Sequence, residues 1–160
     1  MDQQDTQHTV AQKGSLFERM KACERVLFVH TPQSGLQAMA VIHQTRGTFS
    51  LGGCRMWSYP TWEVALDDLL VRAETATLQA AIHHLPVGGA AFIILGDPTQ
   101  DKTPERLMAF SREISSSAGA CMMMEDMGIN VEDLAQMREA SPRYPLSEGG
   151  GNRGLSLIHI

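Results

Sequence analysis

The sequence predicts an α/β fold in three layers, in which helices cover both faces of a mixed, mostly parallel sheet. Its 160 residues are about the length of one domain, and 43% of them are hydrophobic, so the chain can bury a core. Apolar runs typical of strands come first along the chain and then alternate with helical stretches, an order that gives covered sheets. One of these runs is apolar on both faces, as a central strand of such a sheet is.

The first predicted elements are a short helix and two strands. Ser15 stands three residues before Glu18, the spacing of a capping box, so a helix should begin there and end near Glu24. The run RVLFVHT is apolar and rich in strand-forming residues, so it predicts a strand, and PQSG after it predicts a turn. LQAMAVIHQT predicts a second strand, which should lie centrally because both of its faces are apolar.

The third strand and the longest helix follow. GTFSLGGCRMW predicts a strand that breaks at Gly52-Gly53. The helix should begin at Thr61, with Glu63 placed favourably for the helix dipole, and end near His84 because Leu85-Pro86 follows. Apolar positions recur at helical spacing and predict one buried stripe, formed by Trp62, Leu66, Leu69, Ala73, Ala76 and Ala80.

The last part of the domain alternates strands and helices. AFIIL predicts a short buried strand, and ACMMM predicts another. Thr103 and Pro104 have the order of an N-cap and a first helical residue, so a helix should begin there and end at Gly119. Asn130 should cap the last helix. The residues that these two helices should bury are Leu107, Phe110, Ile114, Leu134 and Met137.

Composition narrows the possible classes of function. A net charge of −5 argues against a nucleic-acid-binding surface, which needs clustered lysine and arginine. No apolar run approaches the roughly 18 residues that a membrane span requires. The polar residues 1–13 lack the apolar core of a signal peptide, so we expect a disordered leader and a cytoplasmic protein.

Cysteine and histidine spacing predicts no metal site. The 3 cysteines lie far apart, without the spacing typical of a disulfide framework or a zinc site. His83 and His84 are adjacent, and neighbours on a helix do not share a face, so they are not expected to bind a metal together.

Candidate binding residues lie where predicted strands end, because sheets of this class bind ligands at the carboxyl ends of their strands. Three turns qualify, and they are Leu51-Gly52-Gly53, Val87-Gly88-Gly89 and the segment 125–128. Glycine pairs let the backbone approach a ligand closely, but they also form ordinary turns. Asp126 is a candidate proton carrier, and the alternative is an aspartate that caps a helix or forms a turn.

A glycine motif near the end of the chain is interpreted as a decoy. Gly149, Gly151 and Gly154 fit G-x-G-x-x-G. A dinucleotide site requires a strand before this motif and a helix after it, whereas a proline-containing stretch precedes it here. We therefore predict no nucleotide site at these glycines.

Several motifs occur in the order found in one enzyme family. LGGCRMW, LPVGG, GDP and EDMG followed by VEDL resemble the N-terminal domain of the glutamate, leucine, phenylalanine and valine dehydrogenases, leucine dehydrogenase in particular. SLFERM, SGLQAM and SEGGGN fit the same resemblance, which covers about residues 14–152. It implies a family domain at residues 14–146 and a glycine-rich, truncated linker or tail at residues 147–160.

The resemblance also implies a reaction and a division of roles between domains. Members of this family oxidatively deaminate branched-chain or aromatic L-amino acids to 2-oxo acids with NAD. Their N-terminal domain carries the substrate pocket and the subunit contacts, and a following domain holds NAD. We therefore expect a homo-oligomer with an amino-acid pocket, and no cofactor bound by this chain.

Site residues carry over from the family motifs one at a time. Asp126 matches the aspartate credited with proton transfer. The residues that match the stretches around the substrate are Leu51, Gly52, Gly53, Gly88 and Gly89.

Two lysines of the family are missing from this chain. Gln79 stands where the family has the lysine that holds the substrate carboxylate, so it is carried over as an uncharged substrate-binding residue. Ala91 stands where the family has the lysine that activates the attacking water. No lysine occurs between Arg25 and Asp101, so no shift of the alignment supplies one. Loss of a general base typically costs about 10²–10⁴ in rate.

We therefore expect a pocket that keeps its shape but has no other basic side chain in reach of Asp126, in a chain that is catalytically incompetent alone. Two alternatives stay open. The chain could be a working fragment in which His83 or His84 supplies the base and a separate chain supplies NAD. It could also be a non-catalytic amino-acid-binding or regulatory partner of an active homologue.

Overall fold

A computed structural model describes residues 15–47, 49–118 and 120–141 of the chain. Within these ranges the chain forms four α-helices, one short 3₁₀ helix (Pro32–Ser34) and five strands. In chain order the α-helices and strands are α1 (Leu16–Met20), β1 (Arg25–Thr31), β2 (Leu36–Ile42), β3 (Ser50–Trp57), α2 (Trp62–Ile82), β4 (Gly88–Leu95), α3 (Pro104–Ser117), β5 (Cys121–Glu125) and α4 (Val131–Ala140). The predicted leader, the predicted tail and the glycine motif at Gly149, Gly151 and Gly154 lie outside the described residues.

The five described strands form one mixed sheet in the order β1-β2-β4-β3-β5. β2 pairs antiparallel with both of its neighbours, β1 and β4, whereas β3 pairs parallel with β4 and β5. Four of these strands therefore run in the same direction and β2 opposes them. The prediction of a mixed, mostly parallel sheet is confirmed.

Helices cover both faces of this sheet. On one face α2 packs Leu66 and Leu69 against Val41 of β2 and Ile93 of β4. On the other face a larger cluster joins α3 and α4 to the strands, with Phe110, Ile114, Leu134 and Met137 packed among Met56, Phe92 and Ile94. The described part of the chain thus has the three predicted layers, and its apolar core lies between them.

The helices begin where their capping residues predict. Thr61, Thr103 and Asn130 each accept a hydrogen bond on the side chain from the backbone N–H three residues later. This contact satisfies one of the backbone donors that the first turn of a helix leaves unpaired. α1 also begins after its predicted cap, Ser15, but it ends at Met20 rather than near Glu24. The predicted end of α3 falls on Gly119, outside the described residues.

Both glycine pairs lie inside strands, which corrects two predictions. β3 continues unbroken through Gly52-Gly53, and Gly88-Gly89 begin β4 instead of forming a turn before it. Space explains this choice of residue, because a β-carbon on Gly52 would overlap the backbone of Ala90. A glycine inside a strand commonly marks such a close approach of another backbone.

The buried stripe of α2 also differs from its prediction. Trp62 is 46% exposed and lies edge-to-face against Phe28 of the edge strand β1, with ring centroids 6.0 Å apart. Ala76 is only half-buried. The buried positions of α2 are Ala65, Leu66, Leu69, Ala73, Thr77 and Ala80. The helix therefore faces the sheet along a slightly rotated stripe, and its first residue meets the sheet's edge rather than its centre.

No helix in the described ranges is both long enough and apolar enough to cross a membrane.

Candidate functional site

The face of the sheet that carries α2 is only partly covered at β3 and β5. α2 packs mainly over β2 and β4. Beside it, the register pairs Leu51 with Met122 and Gly53 with Met124, so these four residues form one floor across β3 and β5. Leu51 is buried, and both methionines are partly exposed. We call this floor the open face, and it offers an apolar surface beside the helix.

Asp126 lies directly after β5 and turns back over this floor. Its Oδ1 accepts a hydrogen bond of 2.8 Å from the backbone N–H of Met127, and its backbone carbonyl accepts one of 3.0 Å from Ile129. Gly128 completes the turn with a positive φ of 76°, a conformation that glycine adopts without strain. The turn predicted after this strand is therefore present, and Asp126 contributes to it.

The carboxylate of Asp126 stands over Gly53. A β-carbon built on Gly53 would lie 2.9 Å from Oδ2 of Asp126 and 3.3 Å from Nη2 of Arg72. Any larger residue in this position would push against both groups. The missing side chain of Gly53 is thus what leaves room for charged groups at the floor.

Two arginines hold Asp126 in place. Arg72 of α2 forms an ion pair with Oδ2, and Arg55 of β3 places Nη2 3.5 Å from Oδ1. Arg55 also lies 3.3 Å from the carboxylate of Asp68, which accepts a hydrogen bond of 2.5 Å from the hydroxyl of Tyr59. We call these five residues the ion cluster. Its two cations and two anions balance, so it carries no net charge when Tyr59 is neutral.

Burial sets the electrostatics of this cluster. It lowers the pKa of Arg72, and the nearby positive charge of Arg55 lowers it further. Burial also raises the pKa of Tyr59, as does its hydrogen bond to Asp68. The Nε groups of both arginines are buried and have no hydrogen-bond partner among the described residues. Each guanidinium therefore has donor capacity that its present partners do not use.

These cations correct one expectation. From the sequence we expect no other basic side chain near Asp126, whereas Arg55 and Arg72 both reach it. Their pairing with Asp126 joins residues 71 and 54 positions apart, which local patterns do not reveal. A partial signal does exist, because Arg72 follows Asp68 by one helical turn and Arg55 follows Gly53 by two residues on one strand face.

The two positions that lack a lysine lie in different surroundings. The register pairs Leu51 with Gly89 and Cys54 with Phe92, so Gly53 lies beside Ala91 on the adjacent strand. Ala91 is 1% exposed, and its methyl group belongs to the apolar cluster under α2. Its side chain therefore has no group that can accept a proton.

Gln79 lies further along α2. It is partly exposed and follows Arg72 by seven residues, which is roughly 10 Å along the helix axis. The structure therefore places Arg72, rather than Gln79, in contact with Asp126.

The other predicted glycines serve close packing. A β-carbon on Gly89 would overlap Thr77 of α2, so the absence of a side chain allows the helix to approach β4. Thr77 in turn lies 2.9 Å from Nδ1 of His43, which follows β2. A β-carbon on Gly88 would overlap the backbone of Gln44.

His83 and His84 lie at the end of α2, far along the helix from Arg72. Both are exposed at the end of α2, and His83 follows Arg72 by eleven residues, roughly 16 Å along the axis. This distance argues against either imidazole acting as a base beside Asp126.

The described residues carry no dinucleotide-binding motif. They contain no G-x-G-x-x-G run between a strand and a helix, the arrangement that binds a pyrophosphate, and their glycine pairs lie within strands. We therefore assign these residues no catalytic step that runs through NAD. The same ranges hold no group of three histidine, cysteine, aspartate or glutamate side chains placed to bind a metal.

The chain is similar to amino-acid dehydrogenases over most of its length. Residues 23–143 match the family model described as Glu/Leu/Phe/Val dehydrogenase, dimerisation domain. The chain is 34% identical over 151 residues to a phenylalanine dehydrogenase of Bacillus thermotolerans, a match that covers 94% of this chain and 40% of that protein. It is 40% identical over 111 residues to a leucine dehydrogenase of Bacillus subtilis, a match that covers 69% of this chain and 30% of that protein.

Solved structures give the same picture. An L-tryptophan dehydrogenase from Nostoc punctiforme matches with a TM-score of 0.74 and 28% identity, over 81% of this chain and 39% of that one. A hetero-hexameric glutamate dehydrogenase from Thermus thermophilus matches with a TM-score of 0.63 at 21% identity, which supports the fold alone. The chain spans 40% or less of each of the two curated relatives named above.

Proposed function

Since the chain belongs to the Glu/Leu/Phe/Val dehydrogenase family, we propose that it is the substrate-binding and dimerisation domain of a leucine dehydrogenase-like enzyme, and that it is catalytically incompetent alone. The family reaction that we propose for the complete assembly is NAD-dependent oxidative deamination of branched-chain or aromatic L-amino acids. Relatives named as leucine, phenylalanine and L-tryptophan dehydrogenases support this class of substrate.

The observation that carries the proposal is the methyl group at Ala91. It lies on β4 beside Gly53, which belongs to the floor over which Asp126 stands, and it is buried under α2 in an apolar cluster. A base must hold a free lone pair within hydrogen-bond reach of the reacting group. An alanine methyl group has none, and an arginine guanidinium is a donor without an acceptor lone pair, so the two nearby arginines do not supply one.

The remaining residues suit binding better than chemistry. Beside the buried Leu51, the open face offers its two half-buried methionines to an apolar side chain. Asp126, already engaged on both carboxylate oxygens by arginines, is a fixed charge at the edge of that surface. A site of this kind can orient a small apolar amino acid without transforming it.

A second candidate is therefore a non-catalytic amino-acid-binding or regulatory partner of an active homologue. The observation that favours it is the intact ion cluster, since a buried set of paired charges is costly unless every member is satisfied. In this chain all four charged groups of the cluster form ion pairs, although the Nε of each arginine has no partner among the described residues, and the base is absent.

Self-association is part of the proposal. The matching family model is described as a dimerisation domain, which supports a homo-oligomer with subunit contacts made by this part of the chain. The cytoplasmic location and the absence of nucleic-acid partners stay predictions from the sequence.

Two measurements test the proposal. The purified chain is mixed with NAD and L-leucine, L-valine or L-phenylalanine, and NADH formation is followed against a blank without protein. We expect no rate above the blank, and a clear rate would overturn the assignment of catalytic incompetence.

The second measurement separates a binding domain from a scaffold. Calorimetric titration of the chain with the same amino acids should release or absorb heat in a saturable manner. Flat titrations with all of them would contradict a substrate-binding role and leave only the structural one.

A further inference from the structure

Arg72 is the cation that α2 presents to the open face. We propose that Arg72 binds the carboxylate of an α-amino acid while Asp126 binds its ammonium group, so that the ligand inserts itself into their ion pair. This inference rests on the proposed amino-acid-binding function. It names a residue that takes over the role of the family's carboxylate-holding lysine, which is Gln79 in this chain.

Geometry supports the insertion. The side chain of Arg72 is 26% exposed, whereas that of Asp126 is 8% exposed, so the arginine is the partner with more freedom to move. Both stand over Gly53, where no side chain competes for the space. A ligand that enters along the open face thus meets the arginine and the aspartate at one point.

Arg72 also has donors to offer. Its Nε is buried and has no hydrogen-bond partner in the described part of the chain, and Asp126 contacts Nη2. A guanidinium can donate two parallel hydrogen bonds to one carboxylate, a stronger arrangement than a single contact. A ligand carboxylate could use Nε and a terminal nitrogen together.

Charge balance selects the class of ligand. The ion cluster is neutral, and a zwitterionic amino acid adds no net charge. Insertion replaces one ion pair by two, and Arg55 keeps Asp126 in place through its contact at 3.5 Å. A 2-oxo acid would add an anion and bring no ammonium group to replace Arg72 at Asp126, which would keep only its 3.5 Å contact with Arg55, and weakening the pairing of a buried charge is unfavourable.

Gln79 of α2 and Ala91 of β4, which stand where the family has lysines, are weaker anchors for a ligand carboxylate than Arg72. Gln79 is neutral, and hydrogen bonds to charged groups are roughly twice as strong as those between neutral groups. It also lies roughly 10 Å along the helix from Arg72. The apolar floor of Leu51, Met122 and Met124 lies beside the proposed anchor, so an apolar side chain such as that of leucine fits the same pose.

The test compares L-leucine, L-leucinamide and 4-methyl-2-oxopentanoate by calorimetry on the full chain. Leucine should bind at least about tenfold more tightly than either analogue, because each analogue lacks one of the two charges. Arg72→Gln should weaken leucine binding by about tenfold or more, and Arg72→Lys should recover part of this loss. The matched control, Val71→Ala at an exposed position of the same helix, should change the affinity less than about threefold.

A structural readout accompanies the binding data. Circular dichroism establishes that each variant is folded, and the NMR signal of the Arg72 Nε–H should shift on addition of leucine. Should Arg72→Gln fail to fold, the lysine variant and the NMR signal still decide the matter.

The outcomes are distinct. Leucine binding that is unchanged in both Arg72 variants, or an Arg72 signal that does not move, overturns this inference and leaves amino-acid binding intact. Equal affinity for leucine and its 2-oxo acid also overturns it. Absence of binding by any amino acid to the unmodified chain instead overturns the proposed binding function itself.

Discussion

At the scale of single residues, Gly53 explains how charged groups fit on the open face. Neighbouring groups fill the space that a side chain at position 53 would need, because a β-carbon there would lie 2.9 Å from the carboxylate of Asp126. That separation is shorter than real β-carbon contacts allow, so the ion pair would have to move. The glycine is thus required by the site rather than by backbone conformation.

Gly53→Ala should therefore destabilise the chain by about 1–3 kcal/mol, the usual cost of forcing extra volume into a packed site. Urea unfolding measures this loss. The same change made together with Asp126→Ala should cost less than it does alone, because the obstructing oxygen is gone. Equal costs in both backgrounds would show that the carboxylate is not the obstacle.

Cys54 illustrates how burial controls reactivity. It lies on the opposite face of β3, is fully buried, and burial raises the pKa of its thiol, with a further contribution from Asp133. Because the thiolate is the reactive form, a raised pKa lowers reactivity at any pH below it.

We expect iodoacetamide at pH 8 to label Cys23 before Cys54. The pKa of Cys23 is also raised, by burial and then by Glu74, but this residue is partly exposed. Mass spectrometry of digested samples gives the extent at each site, and labelling in urea provides the control for full access. Rapid labelling of Cys54 in the native chain would contradict its burial.

Part of the site is predictable from the sequence at this scale. Asp126, Leu51 and Gly53 lie together, and each can be identified because motif order and strand patterning are local signals. Arg55 and Arg72 escape such prediction because their shared partner follows a distant strand. Only the fold brings the three charges into contact.

At the scale of elements, the helix starts are predictable and the glycine pairs are not. A cap is decided within four residues, so Thr61, Thr103 and Asn130 can be identified from the chain alone. A glycine pair looks like a turn until its neighbours are known. Gly52 and Gly89 are explained only by the backbones and helix that pack against them.

The start of α4 offers a test of the element's anchoring. Asn130 and Asp133 form a reciprocal capping box, and Lys102 donates from Nζ to Asp133 at 2.8 Å and to the carbonyl of Gly128 at 3.0 Å. These contacts tie the helix to the turn that carries Asp126.

Asn130→Ala should lower the free energy of unfolding by about 0.5–2 kcal/mol, since it removes one cap hydrogen bond. Asn130→Ser, which keeps an acceptor oxygen, should cost much less. Thermal unfolding of the three proteins provides the measurement. If both variants lose the same free energy of unfolding, the loss does not come from the cap hydrogen bond.

At the scale of the whole molecule, the layers are predictable and the strand order is not. Alternating apolar patterns specify which segments are strands and which are helices, and this is enough to predict a covered sheet. The order β1-β2-β4-β3-β5 depends on which strands pair across long separations. No local pattern encodes that choice, so the neighbours of Gly53 and Ala91 emerge only from the structure.

The whole-molecule prediction concerns assembly. Light scattering of the purified chain should give a mass of at least twice its 17.5 kDa, as a dimerisation domain implies. If the contact between subunits is stable, the measured mass should fall only when the chain is diluted to a low concentration. A chain that stays monomeric at every concentration tested would contradict the proposed self-association.

The neighbourhood of Gly53 finally constrains the order in which this scaffold can gain a base. Ala91 lies beside it, so Ala91→Lys would direct an amine toward the space above the glycine. Arg55 and Arg72 already meet there, and a third cation would add a positive charge that Asp68 and Asp126 do not balance. An evolutionary or engineered route to an active domain would therefore have to replace Arg72 by an uncharged residue before it introduces a lysine at position 91.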